Sequence, residues 1–244
     1  MSSTVQRRFG AAGDSYDALE SVKPVGSISH DALAFTEYRN KSFYSRVGKR
    51  LFDVAISLMM ALVALPVIAI ILAIVAIDGR WPIYRHRRLG MDGQFFDCLK
   101  IRTMYADSEE RLMRLFLECP EREEEWLKNF KLEDDPRITR IGKILRKTSL
   151  DELPQLWNVL AGDMSLVGPR PVTEPEIALY GRYADAYFAV RPGLTGLWQV
   201  SGRNALTFLE RARLDAAYVK RVGLFRDMLI IARTVPAMTN LSGR

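Results

Sequence analysis

The chain is short of the side chains that build redox frameworks and soft-metal sites: two cysteines and two histidines in 244 residues. Cys98 and Cys119 stand 21 positions apart with no CxxC or Cys/His grouping. That excludes a disulfide framework and a zinc site, and leaves two reduced, buried thiols. His30 and His86 are too isolated for a histidine-held metal. Any metal must then be held by carboxylates and phosphate oxygens, the ligand set of Mg2+ or a similar hard cation. The N-terminus carries no cleavable signal, because residues 1–40 lack an apolar stretch to insert. They are rich in Ser, Gly and Ala and read as a mobile cytoplasmic leader.

What the chain does have is one long greasy run. Val54 to Ile77 is 24 residues in which Ser57 is the only side chain that wants water. As a helix it reaches roughly 36 Å, against a hydrocarbon core of roughly 30 Å. Pro66 sits at its middle, where it removes a backbone hydrogen bond and predicts a kink or break. Both flanks are basic: Lys41, Arg46, Lys49 and Arg50 before the run, Arg80, Arg85, Arg87 and Arg88 after it. A true span keeps its Lys/Arg excess on one side. The expectation is a re-entrant helix broken at Pro66 with both ends in the cytoplasm; a single span and a buried core helix are the alternatives. Arg50 and Asp53, at i, i+3, are expected to neutralise each other where the helix enters the bilayer.

The formal charge of +6 suits lipid headgroups, phosphates or nucleic acid without choosing among them. Nucleic acid is disfavoured, because the cations alternate with apolar faces and a lipid-soluble run has no use there. The chain therefore divides into a leader (1–40), a basic collar with the membrane helix (41–80) and one cytoplasmic domain (81–244). The expected fold class is α+β, mostly helical, with amphipathic interfacial helices and a small sheet.

Within the domain, Gly90-Met91-Asp92-Gly93 signals a turn between two short strands, the second carrying Phe95, Phe96, Leu99 and Ile101. Asp107 to Asp135 holds 11 acids and reads as a charged helix pair broken at Cys119-Pro120. Arg137, Arg140, Lys143, Arg146 and Lys147 then alternate with Ile138, Ile141, Ile144 and Leu145, giving one apolar and one cationic face. This is either a lipid-facing amphipathic helix or a set of cations aimed at phosphate. Asp151 and Glu152 follow. They either cap the next helix, from Ser149 or from Asp151 itself, or supply an ionised carboxylate that attacks phosphorus. Downstream, Gly168-Pro169-Arg170-Pro171 and Gly202-Arg203-Asn204 pair glycine with arginine, a pattern of phosphate sites. Leu206 to Tyr218 and Phe225 to Leu241 read as two further helices, the second broken at Pro236.

Taken together these motifs resemble the bacterial sugar transferases that are monotopic polyprenyl-phosphate phosphoglycosyltransferases. The resemblance runs from about Lys49 to Thr234. It rests on Lys49-Arg50-x-Phe52-Asp53, Lys100-x-Arg102-Thr103-Met104, Ser149-Leu150-Asp151-Glu152-Leu153, Gly162-Asp163-Met164-Ser165, Gly168-Pro169-Arg170-Pro171, Arg191-Pro192-Gly193-x-Thr195-Gly196 and Gly202-Arg203-Asn204. It is of the small exopolysaccharide-initiating type, which transfers galactosyl or glucosyl phosphate. The resemblance implies a UDP-hexose donor bound with Mg2+, and undecaprenyl phosphate as acceptor in the bacterial inner membrane. Asp151 would be the nucleophile, and Glu152 would assist through the metal or by proton transfer. Arg88, Lys100, Arg146, Arg170 and Arg203 would hold phosphates, with membrane lipids and a second copy of the chain (a homodimer) as further partners. Many members of the family carry Ser-Pro at the helix break, where this chain has Leu65-Pro66. The rival reading is a non-catalytic membrane-anchored scaffold of a polysaccharide assembly system, in which Asp151 and Glu152 only cap a helix.

Overall fold

A computed structural model describes residues 43–129, 132–202 and 206–239. The leader, Lys41, Arg203 and Asn204 lie outside these residues.

The apolar run forms α1 (Lys49–Val75), preceded by a wider helical turn at Tyr44–Gly48 and followed by a 3-10 turn at Ala76–Asp78. Among the described residues it is the one helix long and apolar enough to cross a membrane. The break expected at Pro66 is absent: α1 runs through it without interruption. Proline removes one donor, but continuing the helix keeps the neighbouring backbone groups satisfied where side chains offer no alternative. Phe52, Ile56, Ala61 and Ala64 turn one side of the first half onto the domain core. Ser57 is fully buried on that side, so the one polar residue of the run does not face outward.

Both ends of α1 are tied to the rest of the fold. At the start, Arg50 donates to the carbonyl oxygens of Val159 (2.5 Å) and Leu160 (2.8 Å), while Lys49 reaches Asp227 at 2.7 Å. At the far end, Arg102 donates to the Val75 carbonyl at 2.8 Å and to Asp78 at 2.6 Å. The expected Arg50–Asp53 pair is replaced by Lys49 and Asp53, 3.8 Å apart at i, i+4. Arg50 instead offers its planar fork to carbonyls at a helix C-terminus, where the dipole favours a cation.

Next come β1 (Ile83–Leu89) and β2 (Phe95–Ile101), an antiparallel hairpin whose register pairs His86 with Cys98 and Arg88 with Phe96. Asp92 takes the left-handed conformation (φ 57°) at the tip, as the turn signal requires. The acidic stretch is the expected pair, α2 (Ser108–Glu118) and α3 (Pro120–Asn129), with Pro120 opening the second. Cys98 is buried and Cys119, at the break, is partly so; both are free thiols.

The cationic segment forms α4 (Arg140–Thr148), capped by Thr139, whose hydroxyl accepts from the Gly142 amide at 2.9 Å. Gly142 packs so closely on the Thr103 carbonyl that a Cβ there would collide with it. A 3-10 turn at Leu150–Glu152 leads into α5 (Gln155–Ala161). Asn158 of α5 accepts from the Leu99 amide (2.9 Å) and donates to the Asp97 carbonyl (2.8 Å), fastening α5 to β2.

The remaining elements are β3 (Ser165–Val167), α6 (Glu174–Ala178), α7 (Ala184–Phe188), β4 (Gly193–Thr195), α8 (Leu197–Ser201), α9 (Phe208–Val219) and α10 (Leu224–Thr239). α10 continues past Pro236 instead of breaking there. β3 and β4 form a parallel pair with Ser165 opposite Gly193 and Val167 opposite Thr195. Three-residue strands give no periodicity to read, and this pair was not expected. One core cluster gathers Leu156, Val159, Met164, Val167, Tyr218 and Ile230; a second gathers Leu89, Ile177, Tyr180, Tyr187 and Phe188.

Candidate active site

Three pieces of chain converge on the acid pair. Ser149 ends α4 in the left-handed conformation (φ 57°), so Leu150–Glu152 turns back between α4 and α5. The capping readings both fail: Ser149 makes no side-chain cap bond, and the N-cap of α5 is Pro154. The acids therefore stand outside the helix and are not consumed in starting it.

The two carboxylates have different surroundings. Oε1 of Glu152 accepts from Lys100 on β2 at 2.8 Å and from Arg170 at 3.2 Å. Burial alone would raise its pKa, but these two cations outweigh it and hold Glu152 at about 2. Asp151 is 7 % exposed, and among the described residues its carboxylate makes no hydrogen bond or ion pair. Burial raises its pKa first and the Glu152 charge adds to that, against the pull of Lys100, Arg146 and Arg170. Lys100, Arg146 and Arg170 give Asp151 positive surroundings, yet burial decides the direction.

Lys100 and Arg170 are delivered by different devices. β2 points Lys100 across to the acid turn, with Asn158 fixing the distance between strand and helix. Arg170 sits between Pro169 and Pro171, and this loop is pinned by the Pro169 carbonyl accepting from the Gly193 amide at 2.7 Å. Gly168 and Gly193 approach back to back; a Cβ on either would run into the other's backbone. Arg146 donates through Nε to the Thr103 hydroxyl at 2.8 Å, on the Asp151 side of the turn.

Arg88 lies on the opposite wall, paired with Glu176 at 2.6 Å. Glu176 also closes a capping box with Thr173, accepting from its amide at 2.7 Å and its hydroxyl at 2.9 Å. Arg88 further contacts Nδ1 of His86 at 3.4 Å. Burial, then the charges of Arg88 and Lys100, pushes the His86 pKa down to about 4, so the ring is neutral and accepts. Between these walls lies a narrow cleft lined by Arg88, Cys98, Lys100, Glu152, Gln155, Arg170, Pro171, Gly193 and Leu194. Asp151, the neighbour of Glu152 in the same turn, is buried and is not part of the lining.

Of the residues singled out from sequence, Arg88, Lys100, Glu152 and Arg170 are brought together at this cleft. Asp151 and Arg146 flank it, and Arg203 lies outside the described residues. Glu176 and Gln155 were missed. The Thr173-x-x-Glu176 capping box was visible in the sequence and would have marked Glu176 as ordered, though not as the partner of Arg88.

A cleft with three cations around an acid pair is suited to a phosphorylated ligand, whose charge guanidinium and ammonium groups neutralise. The profile described as bacterial sugar transferase matches residues 44–240, which contain every one of these groups. A UDP-galactose-lipid carrier transferase of Erwinia amylovora is 46% identical over 217 residues, 88% of this chain and 46% of that protein. An undecaprenyl-phosphate galactose phosphotransferase of Salmonella typhimurium is 46% identical over the same share of each chain. The exopolysaccharide production protein ExoY of Rhizobium meliloti is 47% identical over 193 residues, 79% of this chain and 85% of that protein. The chain thus spans about half the length of the first two relatives and most of the third. With the matched stretch running from the start of the apolar helix to beyond the last described residue, this chain belongs to the bacterial sugar transferase family.

Proposed function

We propose that the chain is an undecaprenyl-phosphate hexose-1-phosphate transferase that starts an exopolysaccharide repeat unit. Its donor is a UDP-hexose, galactose or glucose, in keeping with the names of its relatives. The Asp151 carboxylate attacks the phosphorus that bears the sugar; the bond to the UMP oxygen breaks and UMP leaves with the electron pair. An oxygen of undecaprenyl phosphate then attacks the same phosphorus. The Asp151 carboxylate is released and polyprenyl diphosphate-sugar forms. Arg88, Lys100, Arg146 and Arg170 position the phosphates and offset their charge, with Arg203 as a further phosphate ligand.

The observation that carries this reading is the division between the acids. Glu152 is tied to two cations and fixed, while Asp151 has no such partner among the described residues. Burial that makes a carboxylate more basic also makes it the better nucleophile once ionised. Two adjacent carboxylates are hard oxygen donors of the kind Mg2+ takes, but among the described residues no group of three or more His, Cys, Asp or Glu could hold a metal, so the substrate would have to complete the ligand set. Asp151 and Glu152 would hold it together with diphosphate oxygens and water. When bound it supplies charge neutralisation at the diphosphate.

The catalytic unit lies on the cytoplasmic face of the inner membrane, with α1 re-entrant through a bend at Pro66 that leaves it helical. Support comes from the two ends of α1, which are bonded to one folded unit through Arg50 and Arg102. A single span would put those partners on opposite sides of the bilayer. Intact-protein mass spectrometry tests the chemistry. With Mg2+ and UDP-galactose or UDP-glucose the wild type gains one hexose phosphate and releases UMP, and Asp151→Asn does neither. Continued UMP release by folded Asp151→Asn would reject Asp151 as nucleophile. Normal polysaccharide export by the Asp151→Asn, Glu152→Gln double variant would favour the scaffold instead.

A further inference from the structure

We propose that Gln155 is the residue by which the cleft recognises a hydroxyl of the donor hexose. The inference deepens the transferase reading and rests on it.

Two amide side chains on α5 fare differently. Asn158 is spent on the fold: it accepts from the Leu99 amide at 2.9 Å and donates to the Asp97 carbonyl at 2.8 Å and to Asp163 at 3.2 Å. Gln155 is as deeply buried, each being 3% exposed, yet among the described residues its side chain makes no hydrogen bond. A buried amide in that state costs stability until something pairs with it. Gln155 lines the candidate cleft, so the partner it lacks comes from a ligand there.

The chemistry of the group narrows the ligand. Arg88, Lys100 and Arg170 already supply cations to the same cleft, and ionised phosphate oxygens only accept. Among the described residues of the lining, Gln155 is the uncharged side chain that carries both a strong donor and a strong acceptor. A hydroxyl likewise donates and accepts, whereas a phosphate oxygen would leave the amide carbonyl unpaired. Pro171 and Leu194 in the same lining give apolar surface for the C–H face of a sugar ring.

Uracil also donates and accepts along one edge, and position decides against it. Gln155 follows Glu152 by three residues, at the point where the acid turn passes into α5. In the proposed reaction the acids meet the phosphorus that bears the sugar. The hexose hangs from that phosphorus by a single oxygen, while the base is a further phosphate and a ribose away.

Steady-state UMP release tests the assignment. The donors are UDP-galactose or UDP-glucose, a set of the same donor each lacking one hexose hydroxyl, and a donor methylated at the uracil imide nitrogen. Removing the hydroxyl that Gln155 reads is expected to lower wild-type kcat/KM roughly 10- to 100-fold. Gln155→Leu should lose about as much with the intact donor and nothing further with that one deoxy donor. Its thermal midpoint should lie at or above wild type, because the unpaired amide is gone. Gln155→Met, closer in shape, repeats the cycle so that a packing fault in Gln155→Leu is not mistaken for a lost contact. Wild-type kcat/KM in both variants, or losses that add in full for every deoxy donor, overturns the proposal and leaves the transferase reading intact. Non-additivity with the methylated base alone overturns the hydroxyl assignment and moves Gln155 to the nucleobase. A wild type that releases no UMP from either donor rejects the transferase reading itself, and this inference with it.

Discussion

The candidate catalytic cleft and the junction at the start of α1 use the same parts to opposite ends. In each, a carboxylate grips a lysine: Glu152 with Lys100 at 2.8 Å, Asp227 with Lys49 at 2.7 Å. At the junction the network is closed. Asp227 is 0% exposed, its Oδ2 accepts from Tyr44 and Lys49, and its Oδ1 accepts from the Tyr218 hydroxyl at 2.7 Å. At the cleft the network is left open. One oxygen of Glu152 takes both cations, the side chains remain partly exposed, and the adjacent Asp151 is bonded to none of them. A polar cluster that satisfies every member holds a fold together; one that leaves a member unsatisfied beside solvent keeps that member for a ligand.

The comparison breaks most severely at Asp227. Asp227→Asn leaves Lys49 buried with only the more distant Asp53, and should cost about 3–5 kcal/mol of stability, read as a fall in the thermal midpoint. Lys100→Met at the cleft should instead spare the midpoint to within about 1–2 kcal/mol. Its UMP release should fall on the order of 10- to 1,000-fold; a variant of unchanged rate would show that Lys100 only holds Glu152.

The two acids give a finer test. The folded-state pKa of Glu152 is depressed, so its contribution to stability is present above the unfolded pKa of about 4.3. It is lost as pH falls through about 2. Glu152→Gln should therefore melt below wild type at pH 7, with the gap closing in acid. Asp151 is shifted the other way, so its charge opposes folding and acid relieves it. Asp151→Asn should melt at or above wild type at pH 7, while abolishing transfer. The smallest effect belongs to Arg50→Met, which removes two bonds to carbonyls and should cost about 1–2 kcal/mol by thermal melt.

Legibility in the sequence followed the range of the interaction. The hairpin was readable because Gly90 to Gly93 and the alternation after it are local. The cationic helix and the Cys119-Pro120 break were readable for the same reason. The acids and three cleft cations were recognisable as motif residues, but what each touches was not. Arg50 was assigned the nearest acid in a helical frame, yet it bonds carbonyls about a hundred residues away in the chain. Asp227 carries no signal in the sequence, because an aspartate in the first turn of a helix is ordinary until Tyr44, Lys49 and Tyr218 are folded onto it. Pro66 and Pro236 each sit inside a continuing helix, so neither ends its element, the flanking residues outweighing one lost bond.

α5 is only seven residues long, with the acid turn at its head and the carbonyls that anchor Arg50 at its tail. It therefore acts as a spacer of roughly 10 Å between the acid pair and the foot of the greasy helix. Inserting one residue would swing its head by about 100° against its tail, so height above the bilayer and the aim of the acids cannot drift separately. In the proposed reaction, that rod would set the altitude at which a soluble donor and a lipid-borne acceptor must both arrive.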